Sequence, residues 1–321
     1  MRSRSVSVTG ATGFVGWHVA DRLTREGWSV RAVVRRGNRK PVPAGVAVVE
    51  SDLSSGGLAE AFAGTDVVVH AAGIVRAPND AVFTAVNVAG TAAAAAAAAR
   101  LDARLVLISS QAAGGPGTSD ARRREGDPPA PVNAYGRSKL AAECAVRSVN
   151  GLQWTILRPS AVYGPRDRGF LPLFRWARLG LCPMVTKPGM CFTFLHVHDL
   201  ARAVQSAVER DESSGETLFV GHSEARSALD LMRSIAASVG RPCHPLPVPA
   251  GALSALAALG NAAWRLGIAP VIDAGRLVEL RAEGFVCSVD RARAVLGFDA
   301  ETGLDEGIAR TADWYRSEGW L

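Results

Sequence analysis

Short, almost purely apolar runs alternate with longer amphipathic stretches over the first 160 residues. The runs at 6–8, 29–34, 46–49, 67–70, 105–108 and 154–157 are dominated by Val, Leu and Ile. Brief apolar runs without polar alternation are the pattern of strands buried on both faces. Helical spacing occupies the intervals, at 17–26, 80–100 and 133–149. The alanine run at 92–99 is read as the close-packed centre of the second of these helices, since alanine is the best helix former. Regular strand–helix alternation implies an α/β fold, a doubly wound parallel sheet.

Beyond residue 165 the alternation weakens. An amphipathic helix is predicted at 170–178 and an irregular apolar stretch at 181–193. A strand at 216–220 is expected to return to the main sheet, and the proline-dense stretch 242–249 is not helical. An apolar helix follows at 250–267. It is interrupted by Gly260, Asn261 and Arg265 and is too short and broken for a membrane span. It is read as a lid over an apolar pocket, with peripheral membrane contact as an open alternative. Two units are therefore expected. Residues 1–164 form a dinucleotide-binding domain. Residues 165–321 form mainly a smaller substrate-binding lobe, with segments near 194–220 returning to the first sheet.

Composition narrows the function classes. The 321 residues carry a formal charge of +6, almost all of it from arginine; the lysines are Lys40, Lys139 and Lys187. The basic clusters at 35–40 and 122–124 are short and not interleaved with aromatics, which argues against nucleic acid as a partner. Five scattered cysteines without a Cys-x-x-Cys pair argue against a disulfide framework or a metal knuckle. With an N-terminus that runs straight into a strand, they point to a reducing, cytoplasmic setting. His196 and His198 share one strand face and lack further ligands nearby, so no metal site is expected and Asp199 is read as a helix cap.

Three places carry chemistry. Gly10, Thr12, Gly13, Phe14, Val15 and Gly16 lie between the first strand and the first helix. Glycines there allow a tight turn, and the helix N-terminus offers free N–H groups to a pyrophosphate. The second strand ends in Arg35 and Arg36 where an NAD site usually has a carboxylate; two guanidiniums there suit a 2′-phosphate, so NADP(H) is favoured over NAD(H). Asp52, with Leu53 beside it, is placed to meet the adenine edge or to cap a helix. Ala71, Ala72 and Gly73 leave room for a cofactor after the fourth strand, where His70 is read as a packed residue. Tyr135 and Lys139, four apart, share one face of a helix. A bare Tyr-x-x-x-Lys is common on solvated helices. Here it follows Ser109 and Ser110 at the end of the fifth strand, the edge where open parallel sheets bind ligands. The intervening loop, 114–131, is read as exposed and mobile.

Together these segments, with Arg158-Pro159 and Tyr163-Gly164-Pro165, resemble the extended branch of the short-chain dehydrogenase/reductase family, which is built on a Rossmann sheet. The resemblance implies Ser110, 25 positions before Tyr135, as the catalytic serine. It implies Tyr135 as proton donor or acceptor, and Lys139 as the group that lowers the tyrosine pKa and holds the nicotinamide ribose. It also implies Asn87 as a residue that helps order the site, and Pro159 and Val162 as the segment that holds the carboxamide. Gln111-Ala112 stands where dehydratases of this branch carry Asp-Glu, which counts against dehydration. The Val-Arg end of the second strand resembles the dihydroflavonol-reductase and hydroxysteroid-dehydrogenase side.

The leading expectation is an NADP(H)-dependent oxidoreductase that interconverts a ketone and a secondary alcohol on an apolar small molecule. The alternatives are an NAD-dependent sugar-nucleotide epimerase and a non-catalytic dinucleotide-binding regulator. A homodimer through the two central helices is carried by the resemblance alone.

Overall fold

The computed structural model describes residues 4–52, 56–187 and 189–321. The chain runs through β1 (Ser5–Thr9), α1 (Phe14–Arg25), β2 (Ser29–Val34), β3 (Ala47–Glu50), α2 (Gly57–Ala61) and β4 (Val67–His70). A continuous helical run follows, made of α3 (Asp80–Phe83), a π-helical turn (Thr84–Ala89) and α4 (Gly90–Arg100). Next come β5 (Arg104–Ile108), the single turn α5 (Gln111–Gly114), α6 (Ala134–Arg147), β6 (Trp154–Pro159) and β7 (Ala161–Tyr163). The second half contributes α7 (Leu171–Arg178), β8 (Cys182–Met184), β9 (Cys191–His196), α8 (Val197–Glu209), β10 (Glu216–Val220), β11 (Ala225–Ser227) and α9 (Ala228–Ser238). It closes with β12 (Pro245–Pro247), α10 (Ala250–Arg265), α11 (Ala274–Leu280), β13 (Gly284–Phe285), α12 (Asp290–Leu296) and α13 (Leu304–Ser317).

The main sheet has seven strands in the order β10-β6-β5-β4-β1-β2-β3, paired in parallel throughout. Successive side chains point to opposite faces, so β5 divides its apolar residues between two cores. Val106 and Ile108 join Val6, Val8, Leu23 and the buried face of α8. Leu105 and Leu107 join Leu58, Phe62 and the alanines of α4. The helical run from Asp80 to Arg100 is long and apolar enough to cross a membrane by composition alone. In the fold it is a layer of the sandwich, with Ala94, Ala95, Ala97 and Ala98 buried against the sheet.

The chain order reverses between β1, which lies beside β2, and β4, which lies on β1's other side. A crevice opens at such a point, outside the carboxyl ends of the strands.

Of the segments expected to return to the sheet, β10 does so, pairing with β6. β9 does not. It pairs with β7, β11 and β13 in a second, smaller sheet. The 114–131 loop is tied down rather than loose: Gly117 bridges Phe285, Arg123 bridges Cys287, and the Glu125 carboxylate accepts the Phe219 amide at 2.8 Å. Asp199 is not the cap of α8, where His196 takes that position. Its buried carboxylate instead accepts the amides of Thr302 at 2.9 Å and Glu301 at 3.3 Å, and Arg202 at 2.9 Å, so α8 is fastened to the segment before α13.

Burial pushes the Asp199 carboxyl up, but the bonds from Thr302, Glu301 and Arg202 outweigh it and hold the pKa below the usual carboxylate range. A depressed folded-state pKa stabilises the fold above the unfolded value of about 4, and that stability is lost as pH falls through the folded value. Asp199→Asn is therefore expected to lose roughly 1.5–3 kcal/mol at pH 7. It should also show a flatter acid limb than the parent. Urea unfolding over a pH series checks both.

Candidate active site

At the switch point the β1–α1 turn is shaped by backbone crowding. Gly10 has φ +73°, and a Cβ there would lie 2.7 Å from the Ala72 amide nitrogen. A Cβ on Gly16 would lie 2.3 Å from the Gly10 carbonyl oxygen. Side chains at either position would push the turn off β4 or lift α1 from β1. Helix α1 then starts after Gly13 without a side-chain cap, leaving its first N–H groups turned to the crevice with Thr12, Phe14 and Val15. Ala71 and Ala72 line the opposite wall, held by amide bonds to the Thr9 carbonyl and hydroxyl at 3.2 and 3.3 Å. The narrow wall, the bare turn and the open helix end fit a dinucleotide. Arg35 and Arg36 stand exposed just past β2. Asp52 follows β3, and α2 begins later, after Gly56. Leu53 lies outside the described residues.

The reactive groups gather at the carboxyl end of β5. Ser110 caps α5, its hydroxyl accepting the Ala112 amide at 3.2 Å. The Tyr135 phenol lies near enough to the same hydroxyl for Ser110 to oppose the rise of its pKa. Tyr135 lies in the first turn of α6, which Asn133 caps by accepting the Gly136 amide at 2.8 Å. One turn on, the buried Lys139 Nζ donates to the Ile108 carbonyl at 2.7 Å. A Cβ on Gly73 would stand 3.1 Å from Asn87 Oδ1 and 3.9 Å from Lys139 Nζ, so the β4 end, Asn87 and the ammonium meet at one point.

Asn87 sits in the π-helical turn and uses both ends of its amide. It accepts the Ile74 amide at 2.8 Å and donates to the Ile74 carbonyl at 3.0 Å and the Ser138 hydroxyl at 2.9 Å. That clamps the loop after β4 to the Tyr135 helix. Pro159 ends β6 beside Val220, and Val162 lies in β7, packed against the core under the crevice.

The electrostatics depart from expectation in one respect. Desolvation pushes the Tyr135 phenol up to about 12; the Ser110 bond opposes the rise and the Glu279 charge adds to it. Lys139 does not bring it down. Its ammonium is engaged by Ile108, and burial lowers its own pKa to about 8 against the pull of Glu143. His70 is pushed to about 3 by burial and then by Lys139, and its Nδ1 meets the Thr9 hydroxyl at 3.0 Å. It is neutral at working pH and packed, as the sequence suggested.

Sequence reasoning missed the group beneath these. Glu143 is completely buried. Its carboxylate accepts Ser109 Oγ at 2.6 Å, Arg158 Nε at 2.9 Å and Arg158 Nη2 at 2.7 Å, with Arg147 at 3.1 Å. The signal was a carboxylate four residues after Lys139, on the same buried face of α6. Asn133 was also missed, although Asn three residues before a helix-first-turn glycine is a capping pattern.

With this geometry in view, the chain matches the profile described as the NAD dependent epimerase/dehydratase family over residues 6–221. It is 32% identical to a ceramide reductase of Caulobacter vibrioides, with 98% of this chain and 96% of the relative covered. It is 31% identical to a 4-hydroxy-2-methyl-3-oxo-4-farnesyl-3,4-dihydroquinoline-1-oxide ketoreductase of Stigmatella aurantiaca, covering 94% and 93%. Among solved structures, MoeE5 in complex with UDP-glucuronic acid and NAD superposes with a TM-score of 0.76 at 26% identity, covering 98% of this chain and 99% of the other.

Removing the Glu143 charge strands Arg158 in the interior. Glu143→Ala is expected to cost about 3–5 kcal/mol in urea unfolding. Glu143→Gln, which keeps the shape, should cost less but lower the Lys139 pKa further, read by the pH dependence of amine modification.

Proposed function

The chain belongs to the NAD dependent epimerase/dehydratase family, of the extended short-chain type, and from that footing we propose an NADP(H)-dependent oxidoreductase that interconverts a ketone and a secondary alcohol on an apolar small molecule. The observation that carries the reading is the placement of Tyr135 in the first turn of α6, near the Ser110 hydroxyl that caps α5 and one helical turn from the buried ammonium of Lys139. Three further points support it. Two relatives above 30% identity are named as a ceramide reductase and as the ketoreductase of a farnesyl-bearing dihydroquinoline oxide. Gln111, not a carboxylate, follows Ser110. Arg35 and Arg36 occupy the position where a ribose-binding acid would favour NAD.

Gly10, Thr12, Gly13, Phe14, Val15 and Gly16 would hold the pyrophosphate, and Ala71, Ala72 and Gly73 the facing side. Arg35, Arg36 and Asp52 would hold the adenosine end; Asn87, Lys139, Pro159 and Val162 would border the nicotinamide end. The bound cofactor supplies or accepts the hydride. Ser110 donates a hydrogen bond to the substrate oxygen and orients it, keeping its own proton. In reduction Tyr135 passes the phenol proton to that oxygen, and its high pKa keeps the proton in place until it is needed. In oxidation the phenolate is the base. Lys139, still charged at neutral pH, steadies negative charge on the phenol side once substrate and cofactor fill the crevice.

The second reading, an epimerase acting on a sugar nucleotide with retained NAD, is favoured by the likeness to MoeE5, whose structure holds UDP-glucuronic acid and NAD.

NADPH consumption with a panel of long-chain and cyclic ketones, set against isomerisation of UDP-sugars, separates the two readings; sugar turnover without ketone reduction sinks the first. Tyr135→Phe is expected to lower kcat by about 10²–10⁴-fold while binding NADPH normally. Alcohol oxidation should climb with pH across the alkaline range, because the phenolate is scarce at neutral pH, while ketone reduction should not. Arg35→Ala with Arg36→Ala should raise KM for NADPH and leave KM for NADH nearly unchanged; equal effects would remove the 2′-phosphate assignment.

A further inference from the structure

The formal charge of +6 is not spread over the molecule. Residues 168–198 and 231–272 contain seven arginines and lysines and not one Asp or Glu, so the excess lies in these two stretches and the remainder is nearly balanced. The fold brings them together. β8 pairs in parallel with β12, and Val185, Val248 and Ile272 close a small core around Leu253, Ala257 and Leu277.

This core uses only one side of α10. On the other side Leu256 and Leu259 stand exposed, followed by Leu266 and Ile268; Leu259 is 68% and Leu266 77% exposed. Leu179, Leu181 and Leu246 are exposed on the neighbouring strands and helix end. Arg178, Lys187, Arg241 and Arg265, all exposed, are interleaved in sequence with these leucines.

We propose that this basic, leucine-studded face of α10 and the β8–β12 ribbon docks the protein on a membrane surface of anionic phospholipid. Apolar side chains rimmed by cations that form no salt bridge among the described residues match a bilayer interface, where leucines enter the acyl boundary and cations meet phosphates. A folded partner protein or a second copy of this chain would need acid on its facing surface, and a second copy offers the same cations. The face also adjoins the active site. Asn133, the cap of the Tyr135 helix, reaches the Gly275 carbonyl of α11 at 3.4 Å, and Arg76, after β4, reaches the Pro270 carbonyl at 3.1 Å. A bilayer under α10 therefore lies beside the opening to Tyr135. The docking surface stands on this geometry alone. Its use to admit an apolar substrate rests on the function proposed above.

The test is co-sedimentation of the full-length protein with vesicles of phosphatidylglycerol and phosphatidylcholine against vesicles of phosphatidylcholine alone. Binding is expected to the anionic vesicles and to weaken at high salt. Arg178→Gln with Lys187→Gln should weaken it by about fivefold per charge. Leu256→Ser with Leu259→Ser and Leu266→Ser should weaken it at least about tenfold. Both variants should retain the parent's circular dichroism and its turnover of a water-soluble ketone. Equal binding to neutral vesicles, or no effect of either variant, overturns the proposal. So does a dimer by light scattering that the leucine variant abolishes while vesicles sediment no protein. Vesicle binding without ketone turnover would remove the proposed function and leave the surface standing; turnover without vesicle binding would do the reverse.

Discussion

A carboxylate sealed inside the protein is the constraint on which the site depends. Glu143 gathers Ser109 from the end of β5 and Arg158 from β6 onto the inner face of α6. A buried ion pair is not, in general, a strong source of stability, because desolvation consumes much of the Coulombic gain. Its effect here is geometric. A bidentate guanidinium–carboxylate pair has one good arrangement, and that arrangement fixes the helix against two strands at the height where Ser110 and Tyr135 meet. Arg158 lies over the Phe219 ring at 5.3 Å, so the pair is walled by β10 as well. The outermost strand of the sheet thus supports the innermost chemistry.

The same carboxylate sets the charge of its neighbour. Lys139 is buried deeply enough to lose much of its basicity, and Glu143, one turn away, restores part of it. Tyr135 receives no comparable help; Ser110 alone opposes its desolvation.

The fold was legible where a strand is buried on both faces. Residues 67–69 and 105–108 announce themselves as unbroken apolar runs, and the structure places strands over them. The Gly10–Gly16 turn was legible because backbone crowding leaves glycine as the residue that fits. Lobe topology was not. β9 and its partners are short, joined across long sequence separations, and their pairing depends on tertiary packing that no local pattern encodes. The 114–131 loop was misread for the same reason: its Gly, Pro and charge look mobile, and what holds it is two distant bridges and the Glu125 bond to Phe219. In the candidate site, Tyr135 and Lys139 could be picked out by helical spacing, and Ser110 only through the family resemblance. Glu143 resembled any charge on a helix until its burial was seen, and the direction of the Tyr135 shift needed the position of the Lys139 ammonium, which spacing does not supply.

The turn that carries Asn87 makes the helical run from Asp80 to Arg100 unforgiving in length. Six residues, Thr84–Ala89, are wound one residue wider than the ladder on either side. Excising one of them would let the run close into a regular α-helix and would turn the Asn87 side chain from its present bearing relative to α4. The Asn87 amide would leave both Ile74 and Ser138. Drift in sequence can therefore exchange the exposed Ala96 of α4 with little consequence, whereas a single-codon deletion a few residues earlier would uncouple two walls of the crevice at once.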